Sequence, residues 1–473
     1  MQTRKHDGLH ERKHNMMKHI CKILAVAALL LVAAVAVTGC SQWTPIYEQM
    51  DDDGYTVSVR FDANGGVIGG GASEVYVVDV FNVGDFKADG EGFVHIPLLP
   101  LEHESRKKGS ENLKAVKNGY FLAGWYAERT PRVNENGEPL DEFGQLTSVS
   151  GREQGYVYGK KWDFSKDRVD VDTKKEHSSG TNVMTLYAGW VPYFDFEFYA
   201  VNEDGDATLL SRVEDQIQVE LPEWDLESGR MNMKAFLARE GMTFEAAFLD
   251  EAMTLPAGGM VGIPVDYETG TFEGDGTIRI YTTWQEGTWF RISTPKQLFD
   301  NASPNGCYIL EKDLNFEGQL WPTNFSTGEF SGIIQGNGHT ISNVDVLQGD
   351  NSKLHGGLFG TLEATAEILD LKLENVTYKI EAGSRMKGTN YGLLAGTVNQ
   401  GATLTNVSIT GMIEVGKNCY HPNEYSIGLL CGSGNIPGID TSGITVTVED
   451  PENTSAQVEV NRETGEVTLT FTD

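Results

Sequence analysis

Short runs of alternating apolar and polar residues, broken by Gly, Asn and Asp turns, predict an all-β chain with minor α content. Three observations carry that prediction. The 473 residues include 54 Gly but only 15 Pro, and the alternating runs are too short for helices. No heptad or low-complexity tract interrupts them. A Gly-Leu block also returns at a nearly fixed step, as Gly357-Leu358-Phe359-Gly360, Gly392-Leu393-Leu394-Ala395-Gly396 and Gly428-Leu429-Leu430-Cys431-Gly432. Short strands at a fixed period cannot bury a face alone, so they must stack.

The length suggests two to four domains. A formal net charge of −31 repels nucleic acid, which is therefore not an expected partner. At the N-terminus, Lys18 and Lys22 precede an uncharged run from Ile23 to Val37. Such a run suits the core of a secretion signal better than a bilayer span, which needs about 20 residues. Val37-Thr38-Gly39-Cys40 follows at once and resembles the lipobox of bacterial lipoproteins. That resemblance implies cleavage after residue 39, lipidation of Cys40 and a membrane-anchored place in the bacterial cell envelope, exposed outside the cytoplasm. Two acyl chains hold a protein firmly where one holds it marginally. The competing readings are a cleaved signal with an incidental cysteine and a short anchor helix. Residues 40–53 then form a tether, in which Asp51 to Asp53 lack the alternation of a calcium loop.

Residues 54–191 form the first module. Thr56 to Phe61 alternates, and Asp62-Ala63-Asn64-Gly65-Gly66 makes a turn, with Asp and Asn bonding their own backbone and the glycines permitting positive φ. Gly119-Tyr120-Phe121-Leu122-Ala123-Gly124-Trp125-Tyr126 and Thr185-Leu186-Tyr187-Ala188-Gly189-Trp190 follow. The three blocks resemble the Listeria–Bacteroides repeat, which implies a β-grasp-like module. The stretches 67–118 and 127–184 are insertions relative to that family and are expected as exposed loops, with Lys107, Lys108, Lys114 and Lys117 as a solvated basic face. A second, degenerate copy spans 192–287. It opens on Phe194 to Tyr199 and closes on Ile278 to Trp284, but lacks the middle block. Met233, Phe236 and Leu237 sit at helical spacing and predict a helix within Met231 to Gly241.

Residues 288–450 carry the Gly-Leu blocks. Leu369 to Leu373 aligns with Thr405 to Ile409 one repeat later, and Ser342 to Val346 is an earlier relative. With the preceding Gly336-Asn337-Gly338-His339-Thr340-Ile341, these residues resemble the GLUG motif of bacterial surface proteins. What this implies is a right-handed parallel β-helix with apolar residues inside and glycines at its corners. Ser293-Thr294-Pro295 starts a short helix through Phe299 that would plug its open end. Residues 451–473 form a hairpin around Asn461 to Gly465.

Catalytic chemistry is sparse. His10-Glu11-Arg12-Lys13-His14 spells a zinc-protease pattern but precedes the signal core and would leave with it. His95, His103, His177, His339, His355 and His421 share no ligand spacing, so no metal and no cofactor is expected. Cys307, Cys419 and Cys431 read as buried thiols, or Cys419 and Cys431 as one bridge. Asp345, Asp370 and Glu374 are the candidate acids of a polysaccharide lyase or hydrolase, yet Asp345 and Asp370 occupy different repeat positions. Trp125, Trp190 and Trp284 read as core aromatics, and Trp162, Trp224 and Trp321 as exposed contacts. The expected function is therefore a non-catalytic surface lipoprotein, an adhesin or ligand-binding protein that meets an extracellular glycan or protein. The alternatives are a β-helix polysaccharide-active enzyme and a purely structural envelope protein.

Overall fold

The computed structural model describes residues 55–69, 73–106, 113–348, 356–380, 388–416, 425–449 and 456–471. The lipobox Val37, Thr38 and Gly39, the lipidation site Cys40, the His10–His14 motif, the tether acids Asp51 to Asp53, Lys107, Lys108, His355, Cys419 and His421 lie outside them. The described chain is mostly strand with few helical turns. It divides into two compact units: one holds residues up to Tyr193 plus Pro264–Gly276, the other Phe194–Ile263 plus the chain from Thr277 onward.

In the first unit, strands β1 (Thr56–Asp62), β2 (Val75–Asn82), β3 (Tyr120–Tyr126) and β4 (Thr181–Pro192) lie in the order β2-β1-β4-β3. The central pair β1–β4 is parallel and the flanking pairs are antiparallel. Alternation places Val57, Val59 and Phe61 in the core, against Trp125, Leu186, Ala188 and Trp190. The glycine in the Ala-Gly-Trp block has a steric cause: a Cβ on Gly189 would lie 2.2 Å from the Tyr126 ring.

The long insertions are not solvated loops. Phe93–Pro97 pairs with Arg168–Asp172, and Ile96, Leu98, Leu101, Leu113, Val169 and Val171 from the two insertions complete the same core. Each such aliphatic side chain contributes about 1.5–3 kcal/mol on burial, so the insertions are part of what stabilises the unit. The solvated-face reading also fails for Lys117, whose side chain is only 18% exposed and faces Glu153.

The second unit repeats the strand order. Here β5 (Phe194–Val201), β6 (Ala207–Gln216), β7 (Met242–Phe248) and β8 (Thr277–Glu286) lie as β6-β5-β8-β7, again with the central pair parallel. Phe194, Phe196 and Phe198 are fully buried. The helix expected within Met231 to Gly241 is absent: Met231–Asn232 pairs with Glu223–Trp224, and only Ala235–Leu237 makes a 3-10 turn. Lys234 provides no side-chain cap, and a segment this short does not hold a helix unaided. Phe236 instead packs its ring 5.1 Å from Phe198.

Downstream, short strands form stacks of parallel sheets. One runs Thr288–Ile292, Gly306–Leu310, Ile333–Gln335, Glu367–Leu369 and Thr403–Thr405; a second includes Thr340–Ser342, Lys372–Ile380, Ser408–Val415 and Ile444–Val448; a third runs Glu329–Phe330, Phe359–Leu362, Ala395–Val398 and Cys431–Ser433. Leu369 pairs with Thr405 and Leu373 with Ile409, as their alignment predicts. The earlier relative is registered differently, because Ser342 stacks on Glu374 and Asp345 on Thr377. Inward rows such as Phe330–Leu362–Val398 are buried.

The block glycines serve close approach: a Cβ on Gly392 would lie 2.5 Å from the backbone of Ala395, Leu430 and Cys431. Left-handed turn positions include Asn337, Asn343, Asp370, Asn375 and Asn406, with φ between 51° and 56°, and glycines outside the blocks such as Gly338 and Gly388. Short polar side chains tolerate that conformation because they bond locally. At the head of the stacks, Pro295–Asp300 is helical, with Thr294 and Gln297 forming a capping box. At the tail, Ala456–Val460 and Glu466–Phe471 form the hairpin, and Val467 pairs with Ile427.

Candidate ligand-binding site

The turn after β1 organises a polar pocket of the first unit. Asn64 takes φ 47° and Gly65 φ 84°, so the left-handed positions fall to these two residues. Gly66 is required for space instead, since a Cβ there would meet Trp190 at 2.6 Å. The Asn64 backbone N–H donates to Asp62 Oδ1 at 2.8 Å, the turn bond that the sequence predicts. Its buried side-chain amide donates to the Tyr158 hydroxyl at 2.8 Å and to the Ala188 carbonyl at 2.9 Å, while its oxygen accepts from Arg129.

Arg129 is the hub of the site. Its guanidinium lies 4.3 Å from the Tyr187 ring centroid and 4.7 Å from that of Tyr156, close enough for cation–π attraction. Burial pushes the Tyr158 hydroxyl up to about 12, although the Trp190 backbone N–H, the Arg129 charge and the Asn64 amide all act in the other direction. It is therefore a neutral donor and acceptor at physiological pH.

The remaining wall comes from Lys117 of the first insertion, Tyr120 of β3, further residues of the second insertion and the segment Pro264–Gly276. Tyr120 donates to Glu142 Oε1 at 2.8 Å, and burial followed by this carboxylate raises its pKa. Lys117 sits 4.3 Å above the Tyr120 ring and 3.5 Å from Glu153. Arg132 donates to the Glu142 carbonyl at 2.8 Å and accepts from Gln154 on its own carbonyl at 3.2 Å. Gly270 and Phe272 close one side from the segment Pro264–Gly276. This segment is fastened by Tyr126 donating to the Tyr267 carbonyl at 2.8 Å, by the Lys161 N–H on the Glu268 carbonyl at 2.9 Å and by edge contact of Phe272 with Phe143. The pocket volume is about 420 Å³.

A second pocket of about 640 Å³ lies beside Trp284, lined by Asn202, Glu203, Asp206, Arg239, Glu245 and Glu286 among others. Trp284 is half-buried, so the expectation of a core aromatic fails there, whereas Trp125 and Trp190 are buried as expected. The indole of Trp190 donates to the Ala63 carbonyl at 2.7 Å; that of Trp284 donates to Thr282 Oγ1 at 2.8 Å, with Arg239 5.2 Å from its ring. Of the tryptophans expected to be exposed, Trp321 is buried among Phe316, Phe325 and Phe359 and donates to the Leu358 carbonyl at 2.8 Å. Trp162 packs partly buried on the first core, and Trp224 lies 5.0 Å from the Arg291 guanidinium.

The candidate acids are dispersed. Asp345 and Glu374 are exposed on the second stacked sheet, and Asp370 occupies a turn where it accepts from Asn406 at 2.8 Å and Gln335 at 3.4 Å. His339 Nδ1 is 3.1 Å from Asp313, and His95 bridges Asp89 and Asp170. Cys307 and Cys431 carry free thiols; Cys307 is buried, Cys431 is half-buried and pairs in register with Ala395, and burial pushes its thiol up to about 11. Among the described residues no group of His, Cys, Asp and Glu is arranged to hold a metal ion, and no helix is long and apolar enough to cross a membrane. Nothing in the residue pattern marks Arg129, Tyr156 and Tyr187 as neighbours, because their meeting depends on how the second insertion folds back.

No family model and no solved structure matches this chain. It is 35% identical over 132 residues to a halomucin of Haloquadratum walsbyi, a match that covers 25% of this chain. The chain spans about 1% of the length of that curated relative.

Proposed function

We propose that this protein is a non-catalytic surface lipoprotein that binds an extracellular glycan or protein. In this reading Cys40 carries the lipid, residues 54–191 and 192–287 are β-grasp-like modules, and 288–450 wind as a right-handed parallel β-helix that displays a long binding face. The observation that carries it is the in-register stacking. Outward side chains fall into rows, such as Glu329–Thr361–Thr397–Ser433 and Thr340–Lys372–Ser408. Neighbouring strands repeat at about 4.8 Å, so each row presents evenly spaced polar groups to an extended partner. The shared strand order of the two mixed sheets supports their reading as copies of one module. The partial likeness to halomucin fits a surface or extracellular protein.

Two measurements on the full chain test this reading. Growth with a palmitate analogue is expected to label the wild type and leave Cys40→Ala unlabelled; equal labelling removes the anchor. Arrays of glycans and matrix proteins are expected to retain the protein without turnover. Release of products from any arrayed polymer would overturn the non-catalytic assignment.

A further inference from the structure

The pocket around Arg129 is built for a ligand of one kind. Its walls carry both signs: Lys117, Arg129 and Arg132 against Asp62, Glu74, Glu142 and Glu153. Such interleaving offers a charged ligand little net attraction, because every favourable contact lies beside an unfavourable one. It offers a neutral polyol a dense array of planar donors and acceptors, supplied by guanidinium, carboxylate and amide groups. Tyr120 and Tyr156, each with a cation over one face, add ring surface of the amphipathic kind that packs on the C–H face of a sugar. A volume of about 420 Å³ lies within the range of about 300–1,000 Å³ typical of small-ligand sites.

The groups are also fixed in advance. Arg129 is held by Asn64 and two tyrosine rings, Asn64 by Tyr158 and Ala188, and Glu142 by Tyr120. Little ordering then remains to oppose binding. The pocket beside Trp284 recurs at the corresponding place in the other unit. It lies where the first strand of that mixed sheet ends, next to the tryptophan of the last strand, and it again mixes an arginine with carboxylates.

We infer that the Arg129 pocket is a saccharide-binding site for a neutral, hydroxyl-rich sugar, with Gly270 and Phe272 of the Pro264–Gly276 segment as part of its wall. This inference rests on the binding-protein reading above and names the ligand class for one site. The test is affinity electrophoresis of the full chain in gels containing a β-glucan, a mannan, a xylan or a polyuronate, with the matrix-protein array run in parallel. Retention by at least one neutral polymer is expected, and it should persist at high salt. Arg129→Lys keeps the charge but loses the planar fork, and should weaken retention about tenfold or more. Gln154→Ala, at a half-exposed position where it loses one hydrogen bond to the Arg132 carbonyl, should weaken it less and lower the thermal midpoint only slightly. If a neutral polymer retains the wild type and Gln154→Ala and Arg129→Lys are retained equally, the site assignment falls and the binding-protein reading stands. Retention by polyuronate alone, or by matrix proteins alone, likewise removes the neutral-sugar site. No retention on any surface removes both.

Discussion

Replacing Gly392 by Ala tests whether the stacked strands are spaced by their glycines. The added Cβ would lie 2.5 Å from the Ala395 carbonyl oxygen, the Leu430 carbonyl oxygen and the Cys431 Cα. That is nearly an ångström short of the 3.4 Å at which ordinary contact begins. All three neighbours are backbone, so no rotamer change relieves the overlap and adjacent strands must separate. Overpacking of a well-filled site costs about 1–3 kcal/mol, and a clash with backbone on three sides belongs at the upper end. Gly258→Ala is the control, because nothing lies within 4 Å of its Cβ and its φ is not positive. There the loss of unfolded-state freedom should stabilise slightly, by about 0.4–1 kcal/mol. Hydrogen exchange on the full chain reads the effect locally, which avoids assuming that both units unfold together. Peptides covering Asn390–Gly392, Ala395–Val398 and Cys431–Ser433 should lose protection in Gly392→Ala and keep it in Gly258→Ala. Equal protection in wild type and Gly392→Ala would refute the close-approach explanation of the repeated glycine.

Two further expectations concern the first unit. Asn64→Ala should destabilise it by about 2–4 kcal/mol, combining the left-handed backbone penalty with buried partners left unpaired. Asn64→Gly, which relieves only the backbone term, should cost less in the same thermal melts, and the reverse order would contradict the assignment. His95 pairs in register with Asp170, and the hydrogen bonds its ring donates to Asp170 first and to Asp89 second hold its pKa above the usual imidazole range. Because the folded value is raised, this contribution is fully present below the unfolded pKa of about 6.5 and is lost as pH rises through the folded value. Asp89 is depressed, chiefly by the Phe93 N–H, so its share is present above the unfolded carboxylate value and fades as pH falls through the folded one. The stability difference between wild type and His95→Gln should therefore be largest near about pH 5.5 and shrink toward alkaline pH. A difference that went on growing above about pH 6.5 would exclude this pairing.

Much of the strand content was legible because period-two alternation is enforced locally. In Phe194 to Phe198 every second side chain is apolar, and each of the three phenylalanines is buried. The repeat register from Leu369 to Ile409 was legible for the same reason, since equal spacing forces equal stacking. The helix start at Ser293-Thr294-Pro295 and the hairpin at Asn461 to Gly465 rest on signals within a few residues, and both formed. Tertiary contact decided what these signals could not. The insertions look polar overall, yet their scattered aliphatics fill the first core once Phe93–Pro97 meets Arg168–Asp172. The helical spacing of Met233, Phe236 and Leu237 lost to an uncapped 3-10 turn packed on Phe198.

The residues by themselves set strand, turn and repeat, because those depend on backbone preferences and on a periodicity that neighbours along the chain impose. Only the folded chain settled which glycines serve conformation and which serve contact, why Trp321 is buried while Trp284 is half-exposed, and that Arg129 meets Asn64, Tyr156 and Tyr187. Those outcomes depend on groups distant in sequence arriving within a few ångströms. That is a property of long-range packing, and no local pattern encodes it.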